Sequence, residues 1–206
     1  MSQIKQYIIA GIGTEVGKTV VSSIVTEKLQ ADYWKPIQAG DLDQSDSIKV
    51  EKWVSNTQTH IHPEGVRLNH PMSPHAAADL ENRRIHLSDL NLPESSNDLI
   101  VELAGGILVP INHQITNLDL IKKIKLPVIL VVNFYLGSIN HTLLSIECLK
   151  SHQVKIEGLI FNGEINEASK EVILEMSGCK NLGEVPPIQG EITSEIVHEY
   201  GKYIQL

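Results

Sequence analysis

The sequence predicts an α/β fold in which helices cover both faces of a parallel β-sheet within a single domain. Short apolar segments alternate with amphipathic segments of helical length along the chain. Near-continuous apolar strands separated by helices are typical of a buried parallel sheet. The first apolar segment also runs into the glycine-rich stretch GIGTEVGKT, a turn of the kind that joins a strand to a helix.

Strands and helices are predicted in alternating order. The predicted strands are residues 7–11, 33–36, 98–102, 127–133, 156–162 and 182–185. The predicted helices are residues 18–30, 45–54, 74–81, 118–123, 139–150, 167–177 and 193–201. Periodicity is weakest over residues 55–97, where we expect loops or a lid. Since no repeat and no Pro-, Gly- or Ser-rich linker divides the chain, we expect one domain over residues 1–206.

Charge and hydropathy exclude several classes of protein. The formal net charge is −8 and no Lys/Arg cluster is present, so we expect no nucleic-acid partner. Apolar segments fall short of the roughly 20 residues that span a bilayer, and residues 1–6 lack the apolar core of a secretory signal. We therefore expect no membrane partner. The two cysteines, Cys148 and Cys179, fit a reducing compartment, which favours the cytoplasm.

The glycine-rich turn predicts a nucleotide-binding loop of the P-loop NTPase type. Unpaired N–H groups at the start of a helix attract phosphates, Lys18 can reach the β- and γ-phosphates, and the Thr19 hydroxyl can bind Mg²⁺. The usual spacing places a glycine where Ile12 stands, with glycines at 11 and 13 instead, so the loop is a variant. The alternative is a glycine turn that only packs a strand against a helix.

Three more charged residues lie at or soon after the ends of predicted strands. Lys35 ends the second predicted strand and faces the crevice of Lys18, where a second ammonium would stabilise charge during phosphoryl transfer. Its alternative is a solvated lysine at a strand terminus. Asp46 and Glu102, with a threonine hydroxyl, suit an octahedral Mg²⁺ site. Asp46 also fits a simple helix N-terminal charge, whereas Glu102 ends a buried strand and needs a partner.

A second anion site is predicted where the strand at 127–133 leads into a helix. Ser138 is the expected N-cap, and free N–H groups nearby would suit a carboxylate. The alternative is a capped helix without a ligand.

Taken together, these segments resemble the dethiobiotin synthetases, ATP-dependent enzymes of biotin biosynthesis. The resemblance runs nearly end to end, through GTEVGKTV, WKPIQAG, QSD, SPHAA, VELAGG, LPVILVVNFYLGSINH, IFNGE, LGEVPP and GKYIQL. It implies a homodimer with a P-loop α/β fold. It also implies conversion of 7,8-diaminononanoate, CO₂ and ATP to dethiobiotin, ADP and phosphate, through a carbamate and a carbamic-phosphoric anhydride.

The resemblance also implies roles for individual residues. Thr14, Lys18 and Lys35 would surround the γ-phosphate and the carbamate, and Thr19, Asp46 and Glu102 would hold Mg²⁺. The implied ATP-binding set is Glu15, Val16, Gly17, Lys18, Thr19, Val20, Asp46, Glu102 and Gly105, with Asn162 and Pro186 bordering the adenine. The implied substrate-binding set is Lys35 and Ala39, together with Gly137, Ser138 and Asn140 supplied across the dimer interface.

The sequence departs from the family pattern at Gly13, Ala39 and Leu103, which stand in place of a polar residue, a hydroxyl and a glycine. These changes keep open a non-catalytic nucleotide-binding relative. A second alternative is a switch ATPase of the partitioning or division type, although the extra lysine of that class is missing from Gly11-Ile12-Gly13. A third alternative is a glutamine-dependent synthetase module, but the chain is too short to carry the amidotransferase half of such an enzyme.

Overall fold

A computed structural model describes residues 4–206, and its main feature is a six-stranded parallel sheet. The strand order is β2-β5-β1-β6-β7-β8. The bounds of these strands are Gln6–Gly11 (β1), Asp32–Trp34 (β2), Leu99–Gly106 (β5), Val128–Val132 (β6), Ile156–Asn162 (β7) and Asn181–Val185 (β8). The predicted parallel α/β architecture is confirmed.

A smaller sheet of two parallel strands, Ile37–Ala39 (β3) and Val66–Leu68 (β4), lies outside the main sheet. The seven α-helices of the described chain are Lys18–Leu29 (α1), Asp46–Trp53 (α2), Pro74–Leu80 (α3), Asn117–Ile124 (α4), Ser138–Ser151 (α5), Glu167–Ser177 (α6) and Ser194–Tyr200 (α7). Within residues 4–206, no helix combines the length and the apolar character needed to cross a membrane.

Chain direction places the helices on both faces of the sheet. The chain crosses the sheet in one direction from β1 to β2, and in the opposite direction from β6 through β7 to β8. Because crossovers between parallel strands are right-handed, α1 lies on the face opposite α5 and α6. The packing agrees, since α1 contacts α2 and α7 whereas α5 contacts α6.

Every predicted strand and helix is present, but some boundaries and one region were predicted wrongly. β2 ends at Trp34, so Lys35 follows the strand instead of ending it. β5 continues to Gly106, which places Glu102 inside the strand and not at its end. The weakly periodic region 55–97 contains β4, which the sequence did not predict. Residues 1–3, on which part of the secretory-signal expectation rests, lie outside the described residues.

The central strands are buried because helices cover both faces. All five residues of β6 and the last four residues of β1 are buried, and all of them except Gly11 belong to one continuous apolar core. In the sequence, strands that are buried on both faces appear as nearly continuous runs of apolar residues such as Val and Ile. The sheet is therefore a rigid platform whose carboxyl edge carries the loops.

A buried carboxylate fixes the start of region 55–97 against α1. Glu27 is 6% exposed, and it accepts hydrogen bonds from the backbone and side chains of Ser55 and Asn56 and pairs with His198. Burial by itself raises the pKa of Glu27, but the bonds from His198, Asn56 and Ser55 outweigh it and lower the pKa to about 2. The ionised carboxylate therefore stabilises the fold.

Glu27→Gln is expected to lower the free energy of unfolding by about 1 to 3 kcal/mol at neutral pH, because charge-assisted hydrogen bonds are lost. The pKa of Glu27 is lower in the folded than in the unfolded chain. Its contribution is therefore complete above the unfolded pKa of about 4.5 and is lost as pH falls toward 2. Urea unfolding between pH 7 and pH 3 measures both effects. Glu199→Gln, at a mostly exposed carboxylate that pairs with Lys202, is the matched control.

Candidate active site

The glycine-rich turn joins β1 to α1 at the carboxyl edge of the sheet. Gly17 precedes the helix with a φ of 87°, in the left-handed region that favours glycine. A Cβ at this position would lie 2.1 Å from Nδ2 of Asn162, which donates a hydrogen bond to the Val16 carbonyl. Glycine is therefore required both by the backbone conformation and by the close approach of Asn162.

Lys18 begins α1 and points back across the loop. Its side chain is buried, and Nζ donates a hydrogen bond to the Gly13 carbonyl at 2.9 Å. Burial lowers the pKa of Lys18 from 10.5 to about 8, with an opposing contribution from Glu102 and a smaller lowering by Lys35. A poorly solvated ammonium beside a helix N-terminus is suited to bind polyphosphate.

Five polar side chains meet beside this loop at Glu102. The Glu102 carboxylate is completely buried. Its Oε1 accepts hydrogen bonds from Thr19 Oγ1 at 2.9 Å and from Lys35 Nζ at 3.0 Å, and its Oε2 accepts one from Tyr33 at 3.0 Å. Lys35 Nζ also lies 2.6 Å from Asp46 Oδ2. The expectation that Glu102 needs a partner is confirmed, and Lys35 is buried, not solvated.

The cluster keeps Lys35 and Asp46 charged and Tyr33 neutral. Burial alone lowers the pKa of Lys35, but Glu102 and Asp46 outweigh it and raise that pKa. Burial alone raises the pKa of Asp46, but Lys35 outweighs it and lowers that pKa. Burial, followed by the charge of Glu102, raises the pKa of Tyr33 well above its usual value. An ammonium is thus fixed between two carboxylates at the wall of the cleft.

The donor atoms at this point fit a magnesium ion. Thr19, Asp46 and Glu102 offer hard oxygen ligands, and Mg²⁺ is typically bound through one or two carboxylates plus phosphate oxygens and water. Within residues 4–206, no group of three or more His, Cys, Asp or Glu side chains is arranged to hold a metal. One hydroxyl and two carboxylates leave the other positions of an octahedral ion to phosphate oxygens and water.

A cavity of about 730 Å³ opens above the loop and the Glu102 cluster. It is large enough for a nucleotide phosphate chain and a small organic substrate. The predicted site residues that line it are Thr14, Glu15, Gly17, Lys18, Thr19, Val20, Lys35, Ala39, Asp46, Glu102 and Gly105. The structure thus brings together residues that are as far apart in sequence as Thr14 and Gly105.

Other predicted site residues lie outside this cavity. The Val16 side chain is buried in the core, and Asn162 donates a hydrogen bond to the Val16 carbonyl. Pro186 directly follows β8, at the same edge of the sheet as Asn162. None of these three residues lines the cavity.

The predicted second anion site lies where β6 leads into α5, outside the cavity. Ser138 is not the N-cap: Gly137 occupies that position with a φ of 104°, and Ser138 is the first helical residue. The prediction failed because a glycine in the left-handed conformation ends the loop without a side-chain cap. Asn140 lies within the first turn of the same helix.

Sequence reasoning missed the buried Tyr33, which bonds to Glu102, and several cleft residues, namely Ile37, Gln38, Lys49, Trp53 and Met72. Tyr33 carried a usable signal, because it lies two residues before Lys35 and alternate residues of a strand share a face. Ile37 and Gln38 belong to the unpredicted strand β3. Met72 lies in the weakly periodic region, which left no signal for its position.

The three departures from the family pattern lie in different surroundings. Ala39 lines the cavity, whereas Leu103 is buried in the core. A Cβ on Gly13 would find only Tyr135 Oη at 4.0 Å, so this point of the loop is open. Of the three, Ala39 is therefore the departure that lies on the cleft wall.

Comparison with known proteins agrees with this geometry. A family model described as an AAA domain matches residues 5–192. An ATP-dependent dethiobiotin synthetase from Christiangramia forsetii is 51% identical over 181 residues, covering 88% of this chain and 87% of its own. Another from Cytophaga hutchinsonii is 47% identical over 197 residues, covering 95% of each chain.

Among solved structures, a ParA family ATPase from Chlorobium tepidum superposes with a TM-score of 0.59 at 12% identity. The match covers 98% of this chain and all of that one. At this identity the likeness extends to the fold, which is that of the P-loop NTPases, and carries no statement about activity.

Proposed function

The chain belongs to the family of ATP-dependent dethiobiotin synthetases, and from that premise we propose how its cleft carries out the reaction. Its activity is ATP-dependent dethiobiotin synthesis, an ATP-dependent ligase reaction. The substrates are 7,8-diaminononanoate, CO₂ and ATP. The observation that carries the assignment of roles is the meeting of Lys18 and Lys35 with Glu102 in one cleft, on a chain that is 47% identical to a relative over 95% of its length.

The chemistry starts with an amine of the substrate, which takes up CO₂ and releases a proton to form a carbamate. A carbamate oxygen attacks the γ-phosphorus in line, breaks the bond to the β–γ bridging oxygen, and forms a carbamic-phosphoric anhydride and ADP. The second amine then attacks the carbonyl carbon, loses a proton and expels phosphate, which closes the ring. The carbamate requires space beside the γ-phosphate, and the wide cleft supplies it.

In this proposal the catalytic residues are Thr14, Lys18 and Lys35, which surround the γ-phosphate and the carbamate. Lys18 binds the β- and γ-phosphates, and the loop amides preceding α1 add donors aimed at the same oxygens. Lys35 offsets negative charge on the transferring group and on the carbamate. Glu102 and Asp46 keep that ammonium charged and in place, and Ala39 forms the wall beside the substrate.

Magnesium would be held by Thr19, Asp46 and Glu102 together with phosphate oxygens, and would neutralise charge on the β- and γ-phosphates. The ATP-binding set is proposed as Glu15, Val16, Gly17, Lys18, Thr19, Val20, Asp46, Glu102 and Gly105, with Asn162 and Pro186 bordering the adenine. The position of Asn162 and Pro186 at the carboxyl edge, beside the loop, supports that placement.

We further propose that the chain works as a homodimer whose partner supplies Gly137, Ser138 and Asn140 to the substrate carboxylate. Two features support this. These residues surround a helix N-terminus that lies outside the chain's own cleft, and the preceding Leu136 is fully exposed. Tyr135 and Leu144 are exposed as well, and several exposed apolar side chains in one segment suit an interface better than a single one would.

Residues 1–206 are proposed to form one synthetase domain in the cytoplasm, without nucleic-acid or membrane partners. The continuous apolar core supports a single domain. The net charge of −8 supports the exclusion of nucleic acid. Cys148 and Cys179 are free thiols, as a reducing compartment allows.

The test is phosphate release from ATP and Mg²⁺ by the purified protein in bicarbonate buffer, with and without 7,8-diaminononanoate. We expect release that requires the diamine, together with the cyclic urea product in the mass spectrum. A reaction with a monoamine of the same length controls for partial turnover, since it can form a carbamate but cannot close the ring. Steady release without the diamine would instead support a switch ATPase, and absence of release would support a non-catalytic relative.

A further inference from the structure

Tyr33 carries a polar contact that the reaction chemistry has not used. The residue is completely buried, yet its hydroxyl lies 3.0 Å from Oε2 of Glu102. Thr19 and Lys35 both donate to the other oxygen, Oε1. Among residues 4–206, Tyr33 is therefore the single side chain that donates a hydrogen bond to Oε2.

The contact follows from strand register. Tyr33 pairs with Ile100 on the neighbouring strand β5. Side chains two residues apart on a strand share a face, so Glu102 lies on the same side of β5 as Ile100. The register thus places Tyr33 on the same face as Glu102 and close enough for its hydroxyl to reach the carboxylate. A Phe would fill the same core space, so packing alone does not require the hydroxyl.

An ionised carboxylate only accepts hydrogen bonds, so the Tyr33 hydroxyl donates to it. This bond holds one oxygen toward the sheet interior and leaves the other beside Thr19 and Lys35. Side chains that orient a metal ligand in this way alter metal affinity without touching the metal.

We propose that Tyr33 is a positioning residue for the magnesium site, fixing Oε2 of Glu102 so that Oε1 remains directed at the cleft. This inference rests on the proposed role of Glu102 in holding Mg²⁺. It assigns Tyr33 to the function of the site, beyond its place in the core.

The test is equilibrium binding of ATP to wild type and Tyr33→Phe, measured while Mg²⁺ is titrated and again in EDTA. We expect the half-saturating Mg²⁺ concentration to rise about tenfold or more in Tyr33→Phe. ATP affinity in EDTA should stay within about twofold of wild type, since Lys18 and the loop are unchanged. A general loss of structure would instead weaken both measurements.

Tyr7→Phe is the matched control. Tyr7 pairs with the same Ile100 from the other side of β5, but the charged groups acting on it are Glu157, Lys155 and Asp98. These residues lie at the opposite end of the strands from the loop. We expect Tyr7→Phe to retain the wild-type Mg²⁺ requirement.

A double variant decides whether Tyr33 acts through Glu102. In a Glu102→Gln background, adding Tyr33→Phe should change the Mg²⁺ requirement by less than about twofold. An unchanged Mg²⁺ requirement in the single variant, or effects that multiply in the double variant, would overturn the positioning role alone. If wild-type ATP binding does not depend on Mg²⁺, the proposed metal site and this inference fail together.

Discussion

Lys35→Ala is expected to lower the turnover of dethiobiotin synthesis by about a hundredfold or more, which is typical for the loss of a preorganised charge stabiliser. The Lys35 ammonium lies 2.6 Å from Asp46 and 3.0 Å from Glu102 at the cleft wall. Both contacts hold it in place before substrate arrives, so little reorganisation is needed during phosphoryl transfer. The measurement is phosphate release with saturating diamine, bicarbonate and Mg²⁺·ATP.

The same substitution removes the counter-charge of a buried carboxylate, which typically costs 3 to 5 kcal/mol of stability. Thermal unfolding and ADP binding must therefore accompany the assay. Lys35→Met keeps most of the side-chain volume and gives a second folded variant without the charge. Lys52→Ala, on the exposed face of α2, is the control for loss of a lysine. Turnover near the wild-type value in folded Lys35→Met would contradict the proposed role.

The main sheet was predictable because each of its strands leaves a strong local signal. β6 and β7 are apolar runs covered on both faces, and the glycine turn fixes where β1 ends and α1 begins. The alternation of strands and helices then selects a parallel sheet. Strand order did not follow from the sequence, because it depends on non-local pairing such as that of β1 with both β5 and β6.

The small sheet could not be predicted because its strands have only three residues each. Each of them has two buried residues, and three residues are too few to establish a period. The extension of β5 past Glu102 could not be predicted either. Its last residues are Ala-Gly-Gly, which carry little strand propensity. They stay in the strand through the pairing of Gly106 with Gly11, across a register shift at which Gly105 has a φ of 71°.

The candidate site followed from one rule, that residues after parallel strands meet at the carboxyl edge. The rule gathers Lys18, Lys35, Asp46 and Glu102, and the structure places all four on one cleft. The rule does not tell how a side chain within a strand, or one next to the loop, is oriented relative to the cleft. For that reason the rule missed Tyr33, and it did not show that Asn162 bonds to the Val16 carbonyl instead of lining the cavity.

Lys18→Ala is expected to weaken ATP binding by about 30- to 150-fold, because charge-assisted hydrogen bonds contribute about 2 to 3 kcal/mol. The Lys18 ammonium is buried in the loop and bonds only to the Gly13 carbonyl among the contacts of the described chain. Phosphate oxygens would replace that neutral partner by charged ones. Equilibrium ATP binding in EDTA isolates this contact from the metal site.

The pH dependence of ATP binding in EDTA tests whether Lys18 is the lysine that binds the phosphates. Burial lowers the pKa of Lys18 to about 8, so the ammonium of the free protein loses its proton as pH rises above 8. Bound phosphates favour the ammonium and raise its pKa, so binding takes up a proton in that range. Wild-type affinity should therefore fall by up to about tenfold per pH unit above pH 8. Lys18→Ala should lack this component, whereas Lys28→Ala, at the exposed other end of α1, should keep it. The same alkaline decline in Lys18→Ala would show that another group titrates, and would remove Lys18 from the phosphate site.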